Sequence, residues 1–335
     1  MNNLVQANKI ISKIAKENPC ITPITVRDYA LFNKFFHKEP YTYGNSWTYV
    51  IQGMYGIGEN NLGYKYFDGG NLSAVCVFPK IEKPDLNVFY WIRPMGKSIL
   101  DVIDKLSKNY HKEHKLPIYV KKIFKEQYEY LRNKGFKNTS NFPWHSSCPS
   151  EDDTYPEQIL DIAHTIDIAK KLGKTRQLNR SYRYYEQLKK DETLKEGSIY
   201  DHKKEAKKVL ISFFQEEIKS RSLNISNPYD FYNIVLNKLN SESTIEKIIK
   251  IDRTYVAFHL SEIQNKELAS LYALISLRNQ SNHIVDFLMF DTFYLLLKSD
   301  IKFINLGGSE IESLYQFKIK FRPIKENIMY WSVLY

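Results

Sequence analysis

The sequence predicts an α/β protein of the α+β kind, with two tandem domains that each contain a mixed, mostly antiparallel sheet flanked by helices. The chain has 335 residues, of which 43% are hydrophobic, which is enough for two medium-sized cores. Strand-like and helix-like segments follow one another in a similar order in both halves. Between the halves, the stretch PWHSSCPSEDDTYPEQ is rich in proline, serine and acidic residues. We therefore expect domains at 1–150 and 151–335.

In the first half, the clearest signal is a hairpin. Strand-like runs at 62–67 and 72–78 flank the turn sequence DGGN at 68–71. In chain order, the expected elements are an N-terminal helix, a strand in CITPITVRDY, helices at 30–37 and in NSWTYVIQGMYGI, the hairpin, a strand in NVFYWIRPMG, a helix in SILDVIDKLSKNYHKEH, a strand in LPIYVKKI and a helix in KEQYEYLRNKGF. Gly135 follows that last helix and is expected to form its C-cap.

The second half repeats this order. Its predicted elements are a basic helix at 175–190, helices in EAKKVLISFFQEEIKSR and DFYNIVLNKL, a hairpin of IEKIIKIDRTYVAFHLSEI and LASLYALISL with its turn at 264–267, an apolar helix in HIVDFLMFDTFYLLLKSD, a strand in KFINL and a last strand in NIMYWSVLY. The halves share few identical residues, so the repetition concerns topology and not sequence.

The chain has a formal net charge of +10, from 48 Lys and Arg against 38 Asp and Glu. This excess favours polyanionic partners such as tRNA, nucleotides or acidic lipid headgroups. Chains rich in lysine, asparagine and isoleucine are also basic where the coding DNA is rich in A and T, so charge alone leaves the partner open.

The sequence argues against a membrane-spanning protein and against a metal site. No segment reaches the roughly 20 uncharged apolar residues of a membrane span. The N-terminus MNNLVQANKIISKIAKENP has no uninterrupted apolar core of the kind found in a signal peptide. The cysteines Cys20, Cys76 and Cys148 are far apart and odd in number, which disfavours a disulfide framework or a zinc site. We expect a cytoplasmic protein that binds no metal.

The last third of the chain carries a family resemblance. A hairpin, an apolar helix, a strand ending INLGGSE and the run LYQFKIKF follow one another there, and LGKTRQLNRSY lies upstream. This pattern resembles the C-terminal half of tandem GNAT-fold acyltransferases, which include the Fem-type peptidyltransferases and the C-terminal domain of phosphatidylglycerol lysyltransferases. The first half matches only in the order of its elements. The resemblance implies two GNAT-like domains, with catalysis in the second.

The resemblance also implies a reaction. Members of the group move an aminoacyl group from aminoacyl-tRNA to an amine or hydroxyl of a small-molecule, peptide or lipid acceptor. Aminoacyl-tRNA is then a co-substrate, and no cofactor is needed. Because the sequence has no long transmembrane part of the kind found in membrane-bound lysyltransferases, we expect a soluble amine or peptide acceptor rather than a lipid.

In a GNAT-like domain two neighbouring strands part, and the gap holds the acyl group. Here the two strands would be LASLYALISL and KFINL. Gly307 and Gly308 would let the backbone approach the donor and adopt a positive φ angle. Asn305 is expected to hydrogen-bond the substrate, and Ser309 is a further substrate-binding candidate. Glu310 is the candidate general base for the acceptor amine.

Lys318 is the strongest catalytic candidate, because the Phe-Lys pair of QFKIKF coincides with a Phe-Lys pair in the Fem-type pattern. A lysine aimed at the ester carbonyl would stabilise the oxyanion that forms on attack, an effect of about 3 kcal/mol. Phe317 and Lys320 are candidates for substrate contact. The alternative is that Phe317 and Phe321 belong to the core and that the lysines lie on a solvated strand edge.

A row of arginines marks the basic helix. Arg176, Arg180 and Arg183 fall on one face of the helix, and Leu178 and Tyr182 lie roughly opposite. Such a row can dock along a phosphate backbone, which makes these arginines candidates for tRNA binding. An ordinary salt-bridged surface helix is the alternative.

The loop before the apolar helix bears on the donor. In acetyl-CoA-dependent GNAT proteins this loop carries glycines, and its amides hold the pyrophosphate. Here it reads RNQSNH and has no glycine, which weighs against acetyl-CoA. Arg278 and Asn279 are candidates for contact with the phosphate or sugar of the donor, or else cap the helix.

Three functions stay open from the sequence. The first is an aminoacyl-tRNA-dependent acyltransferase, the second an acetyl-CoA-dependent N-acetyltransferase, and the third a non-catalytic RNA- or peptide-binding protein with a GNAT-like fold. The amino acid, the acceptor and the oligomeric state are also left open.

Overall fold

The computed structural model of the chain describes residues 2–50, 63–80, 83–138, 155–171, 176–221, 236, 243–277, 283–309 and 312–335. The chain divides into two compact units. The first contains Met1–Pro156, Ser309–Ile311 and Ile328–Tyr335, and the second contains Glu157–Gly308 and Glu312–Asn327. Among the described residues, no helix has both the length and the apolar character that crossing a membrane requires.

The described residues form helices and strands in both units. The first stretch contains α1 (Asn2–Glu17), β1 (Ile21–Pro23), α2 (Tyr29–Phe36), β2 (Tyr64–Phe67), β3 (Leu72–Lys80), β4 (Lys83–Met95), α3 (Ile99–His114), β5 (Ile118–Ile123), α4 (Lys125–Asn133) and β6 (Lys137–Asn138). The second contains β7 (Glu157–Asp161), α5 (Ile162–Lys170), α6 (Arg176–Lys189), β8 (Leu194–Gly197), α7 (Lys203–Arg221), β9 (Thr244–Ile251), β10 (Thr254–Ile263), β11 (Leu268–Ser276), α8 (Ile284–Lys298), β12 (Phe303–Asn305), α9 (Glu312–Ile319), β13 (Lys325–Asn327) and β14 (Tyr330–Leu334).

Each unit contains one seven-stranded mixed sheet, which confirms the predicted fold class. The strand order is β1-β2-β3-β4-β5-β14-β6 in the first sheet and β13-β7-β12-β11-β10-β9-β8 in the second. Among the described strands, β4 pairs with β5 and β11 pairs with β12 in parallel, and the other pairs are antiparallel. A crossover helix joins each parallel pair, α3 in the first unit and α8 in the second. The two units therefore share a topology at the point where each crossover occurs.

The crossover helices differ in how they are buried. Helix α3 is amphipathic and buries Ile99, Ile103 and Tyr110 on one side. Helix α8 is apolar on nearly all sides and buries Phe287, Leu288 and seven further residues. An all-round apolar helix must be covered by other elements, and α6 and the sheet of the second unit share its core cluster.

Several elements depart from the sequence-based expectations. Strand β7 begins inside the stretch that the sequence predicts as the domain boundary, and helix α5 follows it. Neither of these elements was expected, and strand β8 was not expected either. Residues 312–319 are helical, so the alternative that Lys318 lies on a strand edge is wrong. The predicted helix DFYNIVLNKL apart from Leu236, most of NSWTYVIQGMYGI and the boundary at 139–154 lie outside the described residues. The predicted position of the boundary therefore stays a prediction.

The last strand of the chain belongs to the first sheet. Strand β14 lies between β5 and β6, with Val333 opposite Tyr119 on one side and Lys137 on the other. The sequence places this segment in the second domain, and that placement is wrong for β14. The pairing explains the error: β14 supplies the ladder hydrogen bonds and the apolar side chains Trp331 and Val333 that the first sheet requires. A strand-like pattern carries no information about which sheet it joins.

Removing the buried side chain of Val333 should destabilise the first unit. Val333 is fully buried, so Val333→Ala is expected to lower the free energy of unfolding of this unit by roughly 2 kcal/mol. The four tryptophans all fall in the ranges of the first unit, so tryptophan emission during urea unfolding reports on it. Ile328→Ala is the control, because Ile328 is 62% exposed and should change stability little. Equal midpoints for both variants would contradict the assignment of β14.

A network of charged residues in the second unit runs from the exposed Glu196 to the buried Asp291. Lys247 on β9 contacts Asp291 on α8 at 2.6 Å and Glu196 on β8 at 2.7 Å. His259, which is opposite Lys247 in the ladder, is fully buried and makes no hydrogen bond through its ring to the described residues. Burial, together with the charge of Lys247 and against the opposing charge of Glu196, lowers the pKa of His259 to about 3. His259 is therefore neutral when the protein is folded at neutral pH.

The stability of the second unit should fall as the pH falls. In the unfolded chain His259 takes up a proton near pH 6.5, whereas in the folded unit it does so only near pH 3. Between these values the unfolded state binds more protons, so acidification costs roughly 1 kcal/mol of stability per pH unit. His259→Leu should remove this slope in far-UV circular dichroism of urea unfolding between about pH 7 and about pH 5, and His164→Gln, an exposed control, should keep it. An unchanged slope in His259→Leu would contradict the assignment.

Candidate functional site

The parallel strands of the second unit separate after a short ladder. Residues 268–270 of β11 pair with Phe303–Asn305 of β12, and no further pairs join these strands among residues 271–277 and 306–309. Strand β11 continues to Ser276, whereas the chain after Asn305 bonds to β7, with Leu306 N donating to Gln158 O at 2.8 Å. The predicted parting of the two strands is thus present, and it begins at Ser270 and Asn305.

A β-bulge accompanies this separation. Ser261 of β10 pairs with Leu271 and Leu260 pairs with Ala273, so Tyr272 of β11 is the additional residue. A bulge reverses the inward and outward alternation of a strand and bends it. The bulge lies directly after Ser270, the residue at which the pairing of β11 with β12 ends.

A buried turn follows β12. Gly307 adopts φ 70, a left-handed conformation that glycine tolerates without steric cost. Gly307 N donates to Asn305 Oδ1 at 2.8 Å, and Asn305 Nδ2 donates to Glu157 Oε2 at 3.0 Å. Asn305, Gly307 and Gly308 are buried, and Glu157 is only 1% exposed. One amide side chain thus ties the glycine turn to a buried carboxylate on the neighbouring strand.

Lys318 reaches the same turn from helix α9. Its ammonium group donates to Gly307 O at 3.3 Å and to Gly308 O. The residue is 9% exposed, so the charge lies inside the unit and not in bulk solvent. Because a buried cation is costly unless polar groups surround it, the carbonyls of the turn both orient and stabilise the ammonium. The predicted candidates Asn305, Gly307, Gly308 and Lys318 are therefore brought together.

Two neighbouring candidates point elsewhere. Phe317 packs against the core of the second unit and meets Phe321 edge to face at 5.5 Å, as the core alternative predicts. Lys320 contacts Asp286 Oδ1 at the start of α8 at 2.5 Å, and its ammonium lies over the ring of Phe317 at 4.2 Å. Burial lowers the pKa of Lys320, against the opposing effect of Asp286. Both side chains support the packing of α9 on α8.

The arginine row lies where the sequence predicts. Arg176, Arg180 and Arg183 are exposed on α6, and the opposite face, with Leu178 and Tyr182, is buried. Arg180 is close enough to Lys320 to contribute to the lowered pKa of that lysine. An exposed positive strip therefore lies near Lys320, which itself contacts the first turn of α8.

The structure does not place the remaining candidates at the glycine turn with Lys318. Ser309 groups with the first unit, where its backbone bridges to Tyr155, and its hydroxyl makes no hydrogen bond to the described residues. Glu310, Arg278 and Asn279 lie outside the described residues. The roles assigned to all of these candidates stay predictions.

Glu157 is the site residue that sequence reasoning missed. It lies directly after PWHSSCPSEDDTYP, a composition typical of a linker, and in the structure it is the first residue of β7. The apolar run QILDIA that follows Glu157 is the signal that could have identified a buried strand and placed the carboxylate at its start.

The described residues also contain a group with metal-ligand geometry. The ligand atoms of Glu17, Glu113 and His114 lie within 4.8 Å of one another in the first unit, and both glutamates are exposed. Glu113 and His114 lie at the end of α3, and exposed acidic groups of this kind are common without an ion.

Known structures share this architecture, although sequence comparison finds no relative. No family model matches the chain, and no curated protein matches it. A conserved protein of unknown function from Bacteroides thetaiotaomicron aligns at TM-score 0.70 with 13% identity, over 94% of this chain and 99% of that one. FemX aligns at 0.63 with 12% identity, over 93% and 96%. L-PGS from Bacillus licheniformis aligns at 0.59 with 14% identity, over 91% of each chain.

A tandem GNAT protein from the clavulanic acid biosynthesis pathway also aligns, at TM-score 0.52 with 7% identity, over 94% of this chain and 97% of that one. The sequence resemblance to the tandem GNAT group is therefore matched by structural neighbours from the same group. At such low identity the likeness establishes the fold, which is two GNAT-like domains in tandem.

The contact between Asn305 and Glu157 yields a pH-dependent prediction. Asn305→Asp would place a second carboxylate beside Glu157, where two buried negative charges repel. At neutral pH this variant should be less stable than Asn305→Ala by roughly 1–3 kcal/mol. In folded Asn305→Asp, repulsion keeps a proton on one of the two carboxyl groups at a pH where both have lost their protons in the unfolded chain. Acidification therefore stabilises Asn305→Asp relative to Asn305→Ala, and the difference in their free energies of unfolding should narrow.

Hydrogen exchange at the amides of β12, measured at about pH 7 and about pH 5, distinguishes the two variants. The stability gap between Asn305→Asp and Asn305→Ala should shrink at the lower pH. A gap of the same size at both pH values would show that Asn305 does not contact a buried carboxylate.

Proposed function

We propose that this chain is an acyltransferase that moves an aminoacyl group from aminoacyl-tRNA to an amine or hydroxyl of a small-molecule or peptide acceptor. The observation that carries the proposal is the buried ammonium of Lys318 at the glycine turn, directly where the parallel strands separate. The tandem GNAT-like fold shared with FemX and L-PGS supports a transferase of this kind. Aminoacyl-tRNA is the co-substrate, and the reaction requires no cofactor.

The proposed chemistry is the aminolysis of an ester. The acceptor nitrogen attacks the ester carbonyl carbon, a C–N bond forms, and negative charge develops on the carbonyl oxygen. Lys318 stabilises this oxyanion, and its position is fixed by the carbonyls of Gly307 and Gly308. The C–O bond to the terminal ribose of the tRNA then breaks, and the ribose oxygen takes the proton that the nitrogen loses.

The turn supplies positioning for this step. The carbonyls of the turn accept hydrogen bonds from the ammonium of Lys318, and the side chain of Asn305 accepts one from the backbone NH of Gly307. Preorganised charge of this kind stabilises a transition state without reorganisation at the moment of reaction. Glu310 remains the proposed base for the acceptor, and Ser309, Arg278 and Asn279 remain proposed contacts of the substrate.

Exposed positive charge on the second unit is the basis for proposing aminoacyl-tRNA as the acyl donor. The exposed guanidinium groups of Arg176, Arg180 and Arg183 form a strip on α6 that suits a phosphate backbone. A net charge of +10 for the whole chain favours the same partner.

Arg180→Gln with Arg183→Gln should therefore weaken tRNA binding and reduce its dependence on salt.

Lys318→Met should reduce transfer by about 100- to 1,000-fold while the protein stays folded. Methionine keeps most of the volume of the lysine stem and removes the charge. Lys302→Met is the matched control, because Lys302 lies at the entry to β12 with a 64% exposed side chain paired to Glu267. Full transfer activity in Lys318→Met, measured with an identified acceptor, would refute the role of Lys318.

The reaction itself is tested with a pool of charged tRNA. The protein and a cell extract are added to tRNAs that carry labelled amino acids, and the pool should lose one label selectively. Isothermal titration with acetyl-CoA separates the alternatives. Micromolar binding without loss of any label would favour an acetyltransferase, and salt-sensitive tRNA binding without transfer would favour a non-catalytic protein.

A further inference from the structure

The ends of two helices in the first unit bring three side chains with metal-ligand atoms together. Glu17 is the last residue of α1, and Glu113 and His114 are the last two residues of α3. The ligand atoms of these three side chains all lie within 4.8 Å of one another. Because Glu17 is far from the other two along the chain, only the packing of α1 beside α3 creates this group.

The packing of the two helices fixes the frame of the group. Ile14 of α1 and Tyr110 of α3 are buried in the same core cluster. Directly after α1, Asn18 Nδ2 donates a hydrogen bond to Tyr110 Oη at 3.1 Å, which links the end of α1 to α3. The backbones that carry the three side chains are therefore held together, and rotation of the side chains is enough to adjust the ligand atoms.

His114 distinguishes this group from an ordinary surface cluster of acidic residues. Its side chain is only 9% exposed, and its Nε2 is buried without a hydrogen bond to the described residues. A buried ring nitrogen without a partner is unfavourable. Nε2 lies 3.4 Å from Glu17 Oε2, so the nitrogen faces the carboxylate. A metal ion that binds both atoms would satisfy the nitrogen.

The two glutamates leave room for an ion and for water ligands. Glu113 is exposed, and the side chain of Glu17 is 42% exposed. Lys13, itself exposed, lies 3.7 Å from Glu17 Oε1, which is not the oxygen that faces His114. Such an exposed pair one helical turn apart contributes little. Both carboxylates can therefore rotate onto an ion, and water can occupy the coordination positions that the protein leaves open.

The helix ends add a favourable electrostatic contribution. The free carbonyls in the last turn of a helix carry partial negative charge, which stabilises a nearby cation. Because α1 ends at Glu17 and α3 ends at His114, the C-termini of both helices adjoin the group. The two carboxylates add full negative charges, which a divalent cation would balance.

We propose that the first unit binds a divalent transition-metal ion between the ends of α1 and α3, through Glu17, Glu113 and His114. One imidazole and two carboxylates suit Zn²⁺, whereas Mg²⁺ prefers oxygen ligands. Two ligands of a tetrahedral zinc ion lie roughly 3.4 Å apart, so a small movement of the side chains completes the site. The bound ion ties the N-terminal helix to the crossover helix of the first sheet.

The test is the binding of zinc to the whole chain, measured by isothermal titration and by thermal unfolding followed through tryptophan emission. Zinc that binds the folded state should raise the unfolding temperature of the first unit. His114→Gln and Glu113→Gln should each weaken zinc binding by roughly tenfold or more, because each removes a direct ligand. Magnesium at the same concentration should not shift the unfolding temperature.

Two matched variants control for zinc held elsewhere. His111→Gln is the control for His114, because His111 lies one turn earlier on α3 and its Nδ1 contacts Leu116 O at 2.9 Å. Glu126→Gln, which changes an exposed glutamate in the first turn of α4, is the control for Glu113. Both control variants should bind zinc as the wild type does.

Absence of zinc binding in the wild type would overturn the proposal, and Glu17 and His114 would then form an ion pair only. Equal binding by His114→Gln and the wild type, or loss of binding in His111→Gln alone, would overturn it by placing the ion elsewhere. Magnesium binding as tight as zinc binding would do the same, because it would leave His114 without a role.

If His114→Gln does not fold, hydrogen exchange of the wild type with and without zinc answers the question. Zinc should protect amides at 14–18 and at 111–116, and protection confined to other segments would overturn the proposal. Because no acyl donor is present, failure of the transferase proposal would leave this result unchanged.

Discussion

The early end of the ladder between β11 and β12 is the constraint on which the candidate site depends. Three pairs join the strands, and after Asn305 the short strand gives way to a glycine turn. An extended ladder would close this space with backbone hydrogen bonds. The ladder ends beside the bulge at Tyr272, and the chain after Asn305 stays paired with β7 alone, so that the turn carbonyls of Gly307 and Gly308 hold the ammonium of Lys318.

The buried polar groups around the turn work as a connected set. Glu157 accepts from Asn305, Asn305 accepts from Gly307, and Lys318 donates to the turn. Within a low-dielectric interior each of these groups would be costly without its partners. Such a network stabilises one backbone conformation over its alternatives, and this is the property that precise placement of a charge requires.

The fold class and the residues of the glycine turn could be predicted from the sequence. The features that could not be predicted were hidden for physical reasons. Apolar periodicity identifies α3, α8 and the hairpin β10–β11, because these elements bury one face or all faces. It could not assign β14 to the first sheet, because strand pairing is non-local and any sheet edge offers the same backbone groups. The helical state of 312–319 was also hidden, because FKIKF alternates like a strand and only packing on α8 selects the helix.

The candidate residues Asn305, Gly307, Gly308 and Lys318 lie within one short stretch of sequence, and the structure brings them into contact. Glu157 is about 150 residues away along the chain and meets Asn305 only through the pairing of β7 with β12. The sequence also carried no sign that Arg93, Lys121 and Lys122 of the first unit are buried. Lysine and arginine are common in this chain, and only the structure distinguishes buried cations from the many exposed ones.

The central claim is that the acyl group of the donor lies between β11 and β12 with its carbonyl at Lys318. The most direct measurement is a crystal structure of the whole chain with a non-hydrolysable 3′-aminoacylamino-adenosine. We expect the carbonyl oxygen of this compound to lie within hydrogen-bonding distance of Lys318 Nζ, beyond the last ladder pair of Ser270 and Asn305. A compound bound elsewhere, with Lys318 remote from its carbonyl, would contradict the proposed role of Lys318.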